Sequence, residues 1–202
     1  MIKNVKTKKT CYLFVFDGFA DYETSLATAG IVNSNMYQLK TIALRKDPVR
    51  SMSGITIIPD LDFMPDTDLE DIDRENTGML ILPGGFAWEE GRNELITPLV
   101  AHCLLHGIPV AGICGATVFL AELGLLNRAV HTSNSMDYLN ANSNVYRGQG
   151  LYRAMPSVRT EFLITANGTA AVEFAQDIFE SLGIAADRRV SDWFQYFQKE
   201  VA

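Results

Sequence analysis

Three cysteines among 202 residues form a sparse and odd set. That excludes a disulfide framework and leaves Cys11, Cys103 and Cys114 to be explained one at a time. Histidine is equally scarce: His102, His106 and His131, with none further along the chain. Positive charge is in deficit, with 17 Lys and Arg against 24 Asp and Glu and a net charge of −7. Such a surface argues against nucleic acid or an anionic membrane as partner. The one basic run, "KTKK" at 6–9, reads as a solvated tail. No apolar run approaches the about 20 residues of a membrane span. Only six apolar residues separate the basic N-terminus from Asp17, too few for a secretory core, and no small-residue cleavage site follows. The expected setting is cytoplasmic, where thiols stay reduced. Repeats, low-complexity tracts and linkers are missing too. What is present, 48% hydrophobic and 20% charged residues, suits one globular domain over 1–202. Its core is expected over about 11–183, with a helical tail over about 186–200.

Strand-like and helix-like runs alternate. "CYLFVF" (11–16) reads as a buried strand, "DYETSLATAGIVNS" (21–34) as a helix and "YQLKTIAL" (37–44) as a strand. "GITIIPDLDF" (54–63) reads as edge strands, because Pro59 cannot donate to a ladder. "PDTDLEDID" (65–73) is a short acidic helix or turn. "GMLILPGG" (78–85) is a buried strand running into a glycine loop. "TPLVAHCLLHG" (97–107) is a helix with Thr97 as cap, Pro98 in the first position and Gly107 at the end. A strand at 108–113, a helix at 116–126 and a strand "RAVH" (128–131) follow. Asn134 is placed to cap "SMDYLNAN". A β region is expected over 145–164, then an amphipathic helix over 169–183 with Phe174, Ala175 and Ile178 on one face. A last helix carries Trp193, Phe194 and Phe197, to pack on the domain or on a second subunit. The alternation predicts an α/β fold with a mainly parallel sheet covered on both faces, and a site at the carboxyl ends of its strands.

Three polar features follow apolar strands directly: Glu23, the pair Gly84 and Gly85, and Cys114. Cys114 lies where a strand turns into a helix, flanked by Gly112 and Gly115. This resembles a nucleophile elbow with Cys in place of Ser and Ala116 in place of the last Gly. Unpaired helix N–H groups there are expected to lower a thiol pKa from about 8.5 into the range of about 3.5–7.5. Gly115 is expected to let the backbone bend and to aim its N–H at an oxyanion. The alternative is a small buried cysteine beside a packing glycine. Gly84 and Gly85 offer either an ordinary turn or further backbone donors. Glu23 is either a carboxylate favoured by a helix start or an acid/base beside Cys114. His131 is either an imidazole partner for the thiol or a strand-end histidine bonded to a carbonyl. His102 and His106 share a helix face with Cys103 between them, yet no third ligand is near, so no metal site is expected. Cys11 and Cys103 read as packing residues.

The stretches "FDGFADYETS", "LILPGGFAWEE", "PVAGICGAT", "AVHTSNS" and "ITANGTAAVEFA" together resemble the ThiJ/PfpI superfamily. That group includes Parkinsonism-associated deglycase-type proteins and PfpI-type intracellular proteases. The resemblance spans about 11–183. It implies a flavodoxin-like three-layer α/β/α sandwich of the class I glutamine amidotransferase-like kind, and a homodimer. It implies Cys114 as nucleophile, Glu23 as the carboxyl bonded to it, Gly85 and Gly115 as oxyanion donors and His131 as the nearby imidazole, with no cofactor. PfpI-type proteases carry His immediately after the nucleophile, and here that residue is Gly115. An amidotransferase needs a late His-Glu pair, and no His follows residue 131. The activity implied is a cofactor-independent glyoxalase or deglycase acting on a small carbonyl, or an amidase-type hydrolase on an amide. The alternatives are a redox-responsive stress protein or chaperone, and an intracellular cysteine peptidase.

Overall fold

In the computed structural model, which describes residues 8–198, the chain builds a seven-stranded sheet flanked by helices. In chain order the elements are β1 (Lys9–Phe14), α1 (Asp21–Ser34), β2 (Tyr37–Ala43), β3 (Val49–Arg50), β4 (Thr56–Ile57), β5 (Leu61–Asp62), β6 (Thr77–Leu82), α2 (Thr97–Leu105), β7 (Val110–Ile113), α3 (Ala116–Glu122), α4 (Met136–Asn142), β8 (Ser157–Arg159), β9 (Leu163–Ala166), α5 (Ala171–Ser181) and α6 (Arg188–Phe194). The sheet order is β5-β2-β1-β6-β7-β9-β8. Every neighbouring pair is parallel except β8 with β9. The arrangement is the flavodoxin-like α/β fold. Continuous burial explains the unbroken apolar strands: residues 11–16 and 79–82 are at most 7% exposed, as a sheet covered on both faces requires.

From β1 the chain winds outward to β2 and β5, then returns to β6 on the other side of β1. That reversal opens a crevice at the carboxyl ends of β1 and β6. The helices lock the sheet from outside. α1 packs on α5 and α6, and α2 and α3 pack on β7. Gly30 of α1 meets Phe179 of α5 so closely that a Cβ there would lie 2.1 Å from the ring's Cζ. Phe179 is 1% exposed and held edge-on by Phe194 at 4.9 Å, so the ring has little room to retreat. Gly30→Ala is therefore expected to destabilise the fold by about 1–3 kcal/mol, outweighing the roughly 1 kcal/mol of helix propensity alanine brings. Urea denaturation checks this, and an unchanged midpoint would show that the ring yields freely.

Several sequence expectations are corrected. Lys9 of the basic run opens β1, its amine donating to the Arg74 carbonyl at 2.5 Å, while residues 6 and 7 lie outside the described residues. Thr97 is not a cap. A 3-10 turn over Glu94–Ile96 leads into α2, and the Thr97 hydroxyl donates to the Glu94 carbonyl. α3 ends at Glu122, because Gly124 takes φ 70° and starts a 3-10 turn. "RAVH" is not a sheet strand: both sides of β7 are taken, by β6 and β9, so His131 makes only an isolated bridge to Tyr152. Strand structure within 145–164 is confined to β8 and the start of β9. The last helix is shorter than expected, capped by Asp187. Phe194 is buried, whereas Phe197 stays 50% exposed.

Candidate active site

Four neighbouring parallel strands, β1, β6, β7 and β9, deliver residues to one edge. Past β1 the chain turns into α1 and sets Glu23 in its first turn, 2% exposed. Past β6 comes Gly84, past β7 Cys114, and past β9 Gly168. The Gly84 N–H donates to Glu23 Oε2 at 2.9 Å. A Cβ on Gly84 would fall 2.3 Å from that oxygen and 2.7 Å from Cys114 Cβ. A Cβ on Gly168 would lie 2.9 Å from both Cys114 Sγ and Glu23 Oε1. Thiol and carboxyl are thus side by side and coupled in their ionisation, with a bare glycine backbone on either flank.

The elbow is built differently from the sequence expectation. The unusual backbone is at Cys114 itself, φ 57°, while Gly115 has an ordinary helical φ of −56°. A non-glycine residue in the left-handed region costs about 1–3 kcal/mol and persists only where its surroundings over-determine it. Here they do. The Cys114 N–H donates to Ala166 O at 3.0 Å, and its carbonyl accepts from the Thr117 N–H and hydroxyl. Ser133 buttresses that hydroxyl at 2.6 Å. Gly115 serves clearance rather than bending: a Cβ would stand 2.7 Å from the Gly85 carbonyl oxygen and 3.2 Å from Trp88. The Gly115 N–H is close enough to the sulfur to favour its anion. Among the described residues the Gly85 N–H donates to no backbone acceptor. Gly85 holds φ 145°, and a Cβ there would stand 2.8 Å from both Gly18 O and the Phe16 ring.

Electrostatics correct the expected low thiol pKa. Burial pushes Glu23 up to about 7, opposed by its bonds to Cys114 and Gly84. Burial and then the Glu23 charge push the Cys114 thiol up to about 11, opposed by the Asn134 amide and the Gly115 N–H. The two groups titrate as a pair. Between these values the pair holds one proton and one negative charge. Donors at the sulfur draw the charge to Sγ, and the Gly84 N–H draws it to Oε2. Cys11 and Cys103 are fully buried, their thiols pushed up to about 12, so Cys114 is the cysteine with access to solvent.

His131 is not brought to the sulfur. Nδ1 bonds the Ala129 carbonyl and Nε2 the Tyr146 hydroxyl, each at 2.8 Å. A carbonyl only accepts, so Nδ1 carries the proton and Nε2 accepts from the phenol. Burial lowers the imidazole's pKa, consistent with this neutral form. The residue beside the thiol is Asn134. Its Nδ2 donates to Sγ at 3.5 Å, and its Oδ1 accepts from the Gly168 N–H at 2.9 Å. Ser135 takes the capping role expected of Asn134, accepting from the Tyr138 N–H. Asn134 and Gly168 were missed as site residues, although both lie within the "AVHTSNS" and "ITANGTAAVEFA" stretches. A glycine two residues past a strand was the available signal for Gly168. His102 and His106 stack at 4.1 Å and bond the carbonyls of Ile72 and His102. Among the described residues no group of three or more His, Cys, Asp or Glu is arranged to hold a metal. Nor is any described helix long and apolar enough to cross a membrane.

This geometry has relatives. The model of the DJ-1/PfpI family matches residues 9–181. The chain is 33% identical over 199 residues to "Uncharacterized protease YoaZ" of Bacillus subtilis (strain 168), covering 95% of this chain and 91% of that one. It is 31% identical over 176 residues to "Uncharacterized protease YdeA" of the same organism, covering 87% and 83%. The crystal structure of the DJ-1 superfamily protein Atu0886 from Agrobacterium tumefaciens superposes with a TM-score of 0.81 at 30% identity, over 94% of this chain and 97% of that one. Because agreement of this extent runs through every strand that feeds the crevice, the chain belongs to the DJ-1/PfpI family.

Proposed function

We propose that the protein is a cofactor-independent enzyme acting on small reactive carbonyls, in the manner of a glyoxalase or deglycase, with Cys114 as nucleophile. The observation that carries this reading is the adjacency of the Cys114 thiol to a Glu23 carboxyl whose pKa lies near 7. Such a carboxyl is matched to moving protons in both directions at neutral pH. With a 2-oxoaldehyde, Sγ adds to the aldehyde carbon and its proton passes through Glu23 to the new oxygen, giving a hemithioacetal. Glu23, again as carboxylate, removes the hydrogen from C1. The electrons shift onto the C2 oxygen, which takes a proton while the C1 hydroxyl gives one up, and Glu23 returns its own proton to C2. A thioester of the 2-hydroxy acid results, and water hydrolyses it to release acid and thiol. No net oxidant or reductant is consumed. In this reading the Gly115 and Gly85 N–H groups would hold the oxygen that gains charge.

The relatives' names point to proteolysis. Peptide cleavage is supported less, because the Cys-His pairing typical of acyl transfer is missing: His131 is committed to Ala129 and Tyr146. An amidase would use the same nucleophile with Glu23 as acid. We propose a homodimer as the working assembly, which light scattering tests. For the activity, purified protein is expected to convert methylglyoxal to lactate without added thiol or metal. Absence of lactate, with cleavage of an unfolded polypeptide or an amide instead, would replace this reading. Absence of any turnover, with peroxide converting Cys114 to sulfinate, would favour the redox-responsive stress protein.

A further inference from the structure

A second carboxyl group, Glu89, is tied to the surroundings of the sulfur through Tyr138. Glu89 belongs to the loop that follows Gly85, next to Trp88, which lines Gly115. It is exposed, yet its Oε1 accepts a hydrogen bond from the phenol of Tyr138 in the first turn of α4. The Tyr138 hydroxyl also reaches the side chain of Asn134, whose amide bonds Cys114 Sγ. Polar side chains therefore neighbour one another in the order Glu89, Tyr138, Asn134, Cys114, Glu23. Among the described residues neither Glu89 nor Glu23 is ion-paired, and the nearby Arg92 is taken by Glu90. The thiol thus adjoins buried Glu23 directly and exposed Glu89 at one remove, through Asn134 and Tyr138.

We propose that Glu89, held in place by Tyr138, is a specificity-determining residue that makes the Cys114 site admit uncharged or cationic electrophiles and reject those carrying a carboxylate or phosphate. The inference rests on the reading of Cys114 as the group that meets an electrophilic carbon. An approaching anion meets the single negative charge shared by Glu23 and Cys114, then the uncompensated charge of Glu89. A free exposed carboxylate would swing into water and be screened. The phenol instead fixes this one beside Tyr138 and Asn134, where part of the surrounding solvent is replaced by protein and the field is stronger. A neutral 2-oxoaldehyde fits this environment, and its carboxylate-bearing analogue does not.

The test compares alkylation of Cys114 by anionic iodoacetate and neutral iodoacetamide at pH 8 and low ionic strength, read by mass spectrometry of the Cys114 peptide. The ratio of the two rate constants is expected to be about tenfold lower than for N-acetylcysteinamide, and added salt should narrow the gap. Glu89→Gln should raise the ratio about three- to tenfold, and Glu89→Lys further. Tyr138→Phe should move it the same way by a smaller factor. The exposed position of Glu89 keeps both of its variants folded. A wild-type ratio equal to that of the free thiol, or one unmoved by both Glu89 substitutions, overturns the proposal. Because alkylation requires no turnover, the two readings fail separately. An intact charge preference without lactate formation removes only the enzymatic reading, and turnover with an unmoved ratio removes only this one.

Discussion

Cys114→Ser is expected to reduce conversion of methylglyoxal by at least about 10³-fold, leaving only the polarising effect of the backbone donors. The serine hydroxyl is a far weaker nucleophile at neutral pH, and Glu23 with a pKa near 7 cannot ionise it appreciably. Stability should change little. The strained φ of 57° stays with serine as with cysteine, since both carry a Cβ, and the bonds that pin the turn come from Ala166, Thr117 and Ser133 rather than from the sulfur. Loss of turnover with an unchanged thermal midpoint is thus the expected result. Retention of more than a tenth of the activity would place the chemistry elsewhere.

Glu23→Gln should cost about 10²–10⁴-fold in kcat, the usual value of a positioned proton carrier. The amide is close to isosteric and still faces the Gly84 N–H, but it cannot take the C1 proton. Two further readouts separate this from mere disturbance. The pH profile of Cys114 alkylation should change from the two steps of a coupled pair to a single ionisation. Stability should shift as well. In the folded protein the Glu23 carboxyl is raised from 4.5 to about 7. A carboxyl raised on folding contributes stability that is complete below pH 4.5 and is lost as pH rises through 7. The loss is about 3 kcal/mol, from a group only 2% exposed. The difference between wild type and Glu23→Gln in urea denaturation should therefore widen by that order between pH 4.5 and 8, with the variant gaining. A flat difference would mean that Glu23 ionises as freely as in the unfolded chain.

Much of the scaffold was legible because its signals are local. Apolar runs of the right length became β1, β2, β6 and β7, and α1 occupies the residues expected of it. Failures cluster where a neighbour overrides propensity. "RAVH" has strand composition, but β9 had already taken the place beside β7. Thr97 has cap chemistry, but the preceding 3-10 turn left it inside the helix. His131 was the natural imidazole candidate, and a tyrosine fifteen residues later claims its free nitrogen.

Strand, glycine and cysteine order along the chain was enough to establish the fold class and to put Glu23, Gly84 and Cys114 at one sheet edge, since parallel strands necessarily align their carboxyl ends. Which group touches the sulfur was not decided there. Asn134 rather than His131, a shared proton rather than a resting thiolate, and strain at Cys114 rather than Gly115 all follow from contacts between residues distant in the chain. Burial and hydrogen-bond competition set those outcomes, and both arise only once the layers have packed.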